Sequence, residues 1–222
     1  LKGFYVKSEI TLLDFTEQQD PRGIQSLQIV QPSVAKELLR DAVWAVLISL
    51  VLIFIYIAIR FKNWEFGIGG VVGLAHDALL TIGLFSLLHK IMPFSMEIDQ
   101  SFIAAILTVI GYSINNVVII YDRIRENVSL YPKREIYQNI NDSVNQTLGR
   151  TVNTSGTTII VLLIIFIFGG EVIRGFIFAM MSGILIGTYS GLFISAPLAY
   201  DLLSRRGRKG KRVKKTKVEL LK

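Results

Sequence analysis

Residues 101–127 read SFIAAILTVIGYSINNVVIIYDRIREN, an apolar stretch of bilayer length that carries two adjacent amides, Asn115 and Asn116, and ends in a charged burst from Asp122 to Glu126. A span of about 20 apolar residues is what a helix needs to cross a bilayer. Polar groups at that depth are costly unless they face protein or water, so such a helix marks a pathway or a helix-packing site. At 100° per residue, Thr108, Gly111, Tyr112, Asn115, Asn116 and Asp122 fall within one arc, and Ile106, Val109, Ile110, Val117 and Ile120 lie mostly outside it. The arc reads as a face for protein or water, and the opposite face as one for lipid or apolar packing.

The same blockiness runs through the chain. Of its 222 residues 51% are hydrophobic, mean hydropathy is +0.50, and the apolar residues are gathered into runs instead of being spread at soluble-core spacing. This is the composition of a membrane protein. Five spans are expected, at about 42–60, 66–88, 101–121, 154–170 and 175–200. With residues 1–41 outside, seventeen of the twenty-four Lys and Arg residues fall on inner flanks. The positive-inside rule therefore places that amino-terminal segment on the extracytoplasmic face and the carboxy terminus in the cytosol. The net charge of +7 largely expresses this asymmetry and needs no nucleic-acid partner. Cysteine is absent, which excludes disulfides and thiolate metal sites.

Residues 4–15 and 24–30 have strand-like composition with Asp20, Pro21 and Gly23 between them, as in the remnant of a small α+β domain outside the membrane. Leu1 is not an initiator Met and the first forty residues are too polar for a signal peptide, so the chain reads as part of a longer one. Pro32 and Ser33 provide a helix start. Trp44 and Trp64 suit outer and inner interfacial anchors. Between the third and fourth spans Ile136, Ile140, Val144 and Leu148 recur every four residues, which predicts an amphipathic helix over 128–150 at the cytosolic surface. The tail over 201–222 is basic, with nine Lys or Arg between Arg205 and Lys217. Attraction to anionic lipid, or fixation of topology, accounts for it.

Four groups carry possible chemistry. Asp77, next to His76, lies near the middle of the second span and shares a face with Gly70, Gly73 and Thr81; it reads either as a proton relay or as a carboxyl, neutral or paired with Arg150, that holds helices together. Asn115 and Asn116 can orient water or hydrogen-bond across helices, the latter at about 0.6 kcal/mol in a membrane. Thr151, Thr154, Ser155 and Thr158 form one stripe at the head of the fourth span, with Arg150 at its edge either as a charge partner or as an ordinary interfacial cation. Gly183, Gly187 and Gly191 make a seam on the fifth span that suits close helix packing. No cofactor or metal motif is seen.

The phrase GYSINNVVIIYDRIREN resembles the signature helix of the SecD/SecF export proteins, members of the resistance-nodulation-division (RND) superfamily. GLAHDALLTIGLFSLL from Gly73, MPFSMEIDQSFIAAILTVIGYSIN from Met92, GRTVNTSGTT from Gly149 and IFIFGGEVIRGF from Ile165 resemble the SecF half of that family in order and spacing, standing alone or fused to a SecD half. The resemblance covers roughly residues 28–200. It implies an RND-type all-α bundle in the bacterial inner membrane. The implied task is assistance to protein export driven by the proton gradient, with SecD, the SecYEG translocon, YidC and other accessory subunits, and the exported polypeptide as partners. It also implies that Asn116, Arg150 and Thr154 sit at proton-path positions. At the position of Asn116 the family normally has an aspartate, and an amide cannot exchange a proton near neutral pH. A non-conducting scaffold is therefore a competing reading. A small-molecule RND exporter would need far larger outer domains. An intramembrane protease built on Ser113 and His76 is disfavoured, because Ser113 projects away from the polar arc and no HExxH motif exists, so an enzyme is not expected.

Overall fold

The computed structural model describes residues 32–96 and 98–206. Five long helices follow one another: α1 (Pro32–Phe61), α2 (Trp64–Leu88), α3 (Gln100–Leu130), α4 (Ile136–Phe168) and α5 (Glu171–Arg206), each holding a stretch long and apolar enough to cross a membrane. No strand occurs among the described residues. The strand-like segments 4–15 and 24–30 and the tail beyond residue 206 lie outside them. The chain divides into compact units at Leu39 and Arg40. The bundle belongs to the second unit, and of the first only the opening of α1 is described.

Local chemistry sets the ends. Pro at the first helical position suits its fixed φ, and α1 begins at Pro32. It stops at Phe61 because Lys62 takes φ 56°, the left-handed turn that ends a helix, and α2 begins two residues later. Asp99 caps α3 by accepting a 2.8 Å hydrogen bond from the Phe102 amide. Gly169 ends α4 with its N–H on the Ile165 carbonyl at 2.7 Å. Within α5 the winding changes: Glu171–Ser190 is α-helical, Gly191–Ser195 is π-helical, and 196–206 is α-helical again. Pro197 explains the change, because its ring crowds the carbonyl four residues back and offers no N–H to it.

Helices in lipid gain nothing from hydrophobic association with each other, so close packing of small residues and hydrogen bonds hold them together. Here α2, α3 and α5 form the centre. A Cβ added at Gly183 would collide with Val109, one at Gly187 with Ser113, and one at Gly73 with Ser195; Gly191 lies at ordinary contact distance from Asn116. Two apolar clusters flank this crossing. Leu74, Phe85, Phe102, Ile106 and Ile110 belong to one, and Phe61, Phe66, Val117, Tyr121 and Leu192 to the other. By contrast α1 buries little beyond Ile57 and Phe61, and Val43, Leu47, Val51 and Ile59 are exposed.

One expectation needs correction. The segment 128–150 is not a separate surface helix: α3 runs on to Leu130, a short turn follows, and α4 continues without a break from Ile136 to Phe168. Neither Gly149 nor Gly156 interrupts it, since a glycine lowers helix propensity without removing a hydrogen bond. On α3 the apolar face is the one that packs: Ile106, Val109, Ile110, Val117 and Ile120 are buried, whereas Thr108, Gly111 and Asn115 of the polar arc are exposed on the outer surface of the bundle.

Replacing Gly187 by Leu should separate α3 from α5, because overfilling a packed contact already destabilises by about 1–3 kcal/mol for added methylenes and a whole side chain exceeds that. Gly156, which has nothing within 4 Å of a built Cβ, is the control. Thermal unfolding in detergent should show a large loss for Gly187→Leu and little change for Gly156→Leu. Equal midpoints would mean the glycine contact does not hold the bundle.

Candidate functional site

Asp77 lies at the centre of the α2, α3 and α5 crossing, 0% exposed. One of its oxygens, Oδ1, is 3.4 Å from the half-exposed His76 ring, and the hydroxyls of Ser113 and Ser190 face the carboxyl. Neither hydroxyl completes a hydrogen bond to Oδ2, which has no partner among the described residues. The Thr81 hydroxyl donates to the Asp77 backbone carbonyl at 2.7 Å, tying down the next turn. Ser195, in the π-helical segment, places its hydroxyl at Gly73, while its carbonyl accepts from Tyr121 Oη at 3.0 Å. The result is an enclosed cluster of carboxyl and hydroxyl oxygens in the middle of a span, where an ionisable group is least expected without a task.

The two amides part company. Asn116 is 1% exposed, and both its side-chain polar atoms lack partners among the described residues; Asn115 points out of the bundle. Tyr112 reaches α4, with its hydroxyl 3.0 Å from both the Thr154 carbonyl and the Thr158 hydroxyl. Thr154 spends its own hydroxyl on the Arg150 carbonyl at 2.9 Å. Thr151 and Ser155 turn inward, and Ser155 accepts from Thr188 of α5 at 2.7 Å.

Arg150 does not meet Asp77. It is exposed and lines a cleft of about 930 Å³ at the charged end of the bundle, beside Asp122, Arg123, Arg125 and Glu126. Asp122 there is shared by Arg60 at 3.4 Å and Arg125 at 3.2 Å. The alternative that paired Asp77 with Arg150 fails for a simple geometric reason: Asp77 lies at the central crossing and Arg150 at the charged end of the bundle. No group of three or more His, Asp or Glu that could hold a metal occurs among the described residues.

Several residues at the site gave little warning in the sequence. Ser113 projects away from the polar arc of α3, yet it is the α3 side chain that faces Asp77, whereas Thr108, Gly111 and Asn115 of the arc point outward. Ser195 was hidden by the unmarked π-turn, for which Pro197 two residues on is the available signal. Glu65 is fully buried in the first turn of α2, 2.9 Å from Arg206, with its second oxygen lacking a partner among the described residues. It falls one residue before the expected start of the span.

The architecture defines a polytopic α-helical membrane protein with an ionisable group buried at its core. The family model described as "Protein export membrane protein SecD/SecF, C-terminal" matches residues 12–205, and the chain belongs to that family. The protein translocase subunit SecF of Rhodothermus marinus is 51% identical over 191 residues, which cover 86% of this chain and 61% of that protein. The SecF of Haemophilus influenzae is 41% identical over 204 residues, covering 92% and 59%. A crystal structure of SecDF in its super-membrane-facing form matches with TM-score 0.73 and 34% identity, over 93% of this chain and 27% of that one. The chain thus spans less than two thirds of the length of these relatives.

Tyr121→Phe should remove the hydroxyl that satisfies the Ser195 carbonyl while keeping the ring packed between Phe61 and Phe66, at 5.8 and 4.8 Å. A buried acceptor left unpaired costs about 1–3 kcal/mol. Chemical unfolding in detergent should register a loss of that size, and an unchanged stability would show that the π-segment carbonyl needs no partner.

Proposed function

We propose that this chain is the SecF-type part of an accessory apparatus of Sec protein export. In this reading it sits in the bacterial cytoplasmic membrane beside the SecYEG channel, pairs with a SecD half, and uses the proton gradient to help draw exported polypeptide across. The observation that carries the reading is the outward face of α3. Ser101, Ala104, Thr108, Gly111 and Asn115 recur every three or four residues and are all exposed. Lipid tails offer nothing to hydroxyls and amides, whereas a second helix of small and polar residues does. This surface suits a protein partner within the membrane, and the matched SecDF chain extends far beyond the part that this chain covers.

Asp77 supplies the group through which an ion gradient can act on the bundle. Moving one charge through 100 mV releases about 2.3 kcal/mol. A proton that binds Asp77 better in one packing of α2, α3 and α5 than in another shifts the bundle toward the first. The basic residues favour an orientation with Arg60, Arg123, Arg125 and the tail in the cytosol. A second reading, a scaffold that conducts no protons and leaves coupling to the SecD half, rests on Asn116, whose amide cannot replace a carboxylate.

In vesicles, Asp77→Asn should slow gradient-dependent release of an exported protein by about tenfold, equivalent to about 1.4 kcal/mol of activation free energy. Asn116→Asp should retain release with an altered pH profile. Wild-type rates from Asp77→Asn would favour the scaffold. Because the chain has no cysteine, single cysteines at Lys90 and Ser129 report orientation. An impermeant thiol reagent should reach the first from outside and the second from the cytosolic face. Both labelled from one side would sink the topology.

A further inference from the structure

Glu65, Gly69, Gly73, Asp77 and Thr81 recur at strict four-residue spacing on α2, and all five are buried. Carboxyl groups stand at positions 65 and 77, twelve residues and about 18 Å apart along the helix. The glycines between them leave gaps into which neighbouring helices insert oxygen atoms. A Cβ built at Gly69 lies 2.6 Å from Tyr121 Oη and 2.9 Å from the Ser195 carbonyl; one at Gly73 would strike the Ser195 hydroxyl, with Ser190 Oγ at 3.9 Å. Ser190 in turn faces the Asp77 carboxyl. Oxygen atoms therefore mark each turn of α2 from its charged end to the bundle centre. A turn separates side chains by about 5–6 Å, a gap that one water molecule can bridge.

A purely structural seam would pair its buried oxygens. Here Glu65 Oε2, Ser195 Oγ, Ser113 Oγ and Asp77 Oδ2 are all without partners among the described residues. Buried polar atoms are normally satisfied, so these oxygens on and against one face of α2 are each open to a hydrogen bond from water.

We propose that this face of α2 is a proton path inside the subunit, joining Asp77 to Glu65 at the charged end. The Asp77 carboxyl passes its proton by way of bridging water and the Ser190 and Ser195 hydroxyls to the Glu65 carboxylate and is left ionised. Glu65 releases the proton to water at the charged end of the bundle, where its partner Arg206 is 61% exposed, and returns to its ionised form. Only O–H bonds are made and broken. Arg206 faces Glu65, His76 faces Asp77, and the Tyr121 hydroxyl lies between; these are the charged and titratable groups along the path. The path deepens the proton-driven reading above and rests on it only for its use in export.

Infrared spectroscopy of the full-length protein in lipid tests it without an export readout. Stepping the pH between about 4 and 9 should reveal a protonated-carboxyl band that is missing from Asp77→Asn and that shifts on transfer to D2O. Glu65→Gln and Ser195→Ala should slow that isotope exchange by at least about tenfold, and Glu65→Asp should restore it, which a loss of folding or of the Arg206 ion pair alone would not predict. Wild-type exchange in Glu65→Gln overturns the path, as does the absence of any Asp77-dependent band. Slowed exchange in Glu65→Gln together with normal export from Asp77→Asn would uphold the path and remove proton coupling from this chain's role.

Discussion

A serine set against a glycine, where α3 and α5 cross at Ser113 and Gly187, is the contact on which the rest of the bundle depends. Nothing larger than hydrogen fits at position 187 without pushing the helices apart. Inside a bilayer that matters more than it would in water, because apolar side chains are as well solvated by lipid as by each other and cannot draw the helices together. The same device repeats where Ser195 of α5 meets Gly73 of α2. Two such contacts bring three helices close enough for hydroxyls from two of them to face the carboxyl of the third. The enclosure of Asp77 is thus a consequence of that packing.

The π-helical segment belongs to the same constraint. Widening the winding over Gly191–Ser195 lets α5 present Ser190 to Asp77 and Ser195 to Gly73, while the Ser195 carbonyl turns to Tyr121. Pro197 makes that widening favourable, since the ladder is already interrupted there. Segments of this kind are short and recur at functional sites, where a helix must place side chains off its regular register. Tyr121 then joins the centre of the bundle to the aromatic cluster with Phe61 and Phe66, so the polar layer and the apolar layer toward the charged end are held by one residue.

Hydropathy made the five helices legible, and glycine spacing made the α5 seam legible, because both are properties of a single helix. What the chain did not disclose were relations between helices. Helical projection separates the two faces of α3 but does not say which one looks inward, and the polar arc that pointed to protein or water turned out to be partly on the outer surface. Asp77 and Arg150 are opposite charges with no sequence rule to link or separate them, and only the bundle shows Arg150 at the terminal cleft. The division at residues 128–150 failed for another reason: amphipathic periodicity passes into an apolar run without any residue that stops a helix, so α4 has no boundary to find.

Asn116 and Asp77 now describe two different ways of placing a polar group at membrane depth. The amide is buried on the inward face of α3, with donor and acceptor both unpaired among the described residues, which is an expensive arrangement for a residue with no partner. An amide can repay that only by hydrogen bonding, to water or to a neighbouring chain; it has no second charge state with which to respond to a gradient. A carboxyl has two. Both side chains are buried in the bundle, Asn116 on the inward face of α3 and Asp77 on α2, so the first can offer only hydrogen bonds while the second can change charge. Any such change falls where α2, α3 and α5 cross most closely, against the hydroxyls of Ser113 and Ser190.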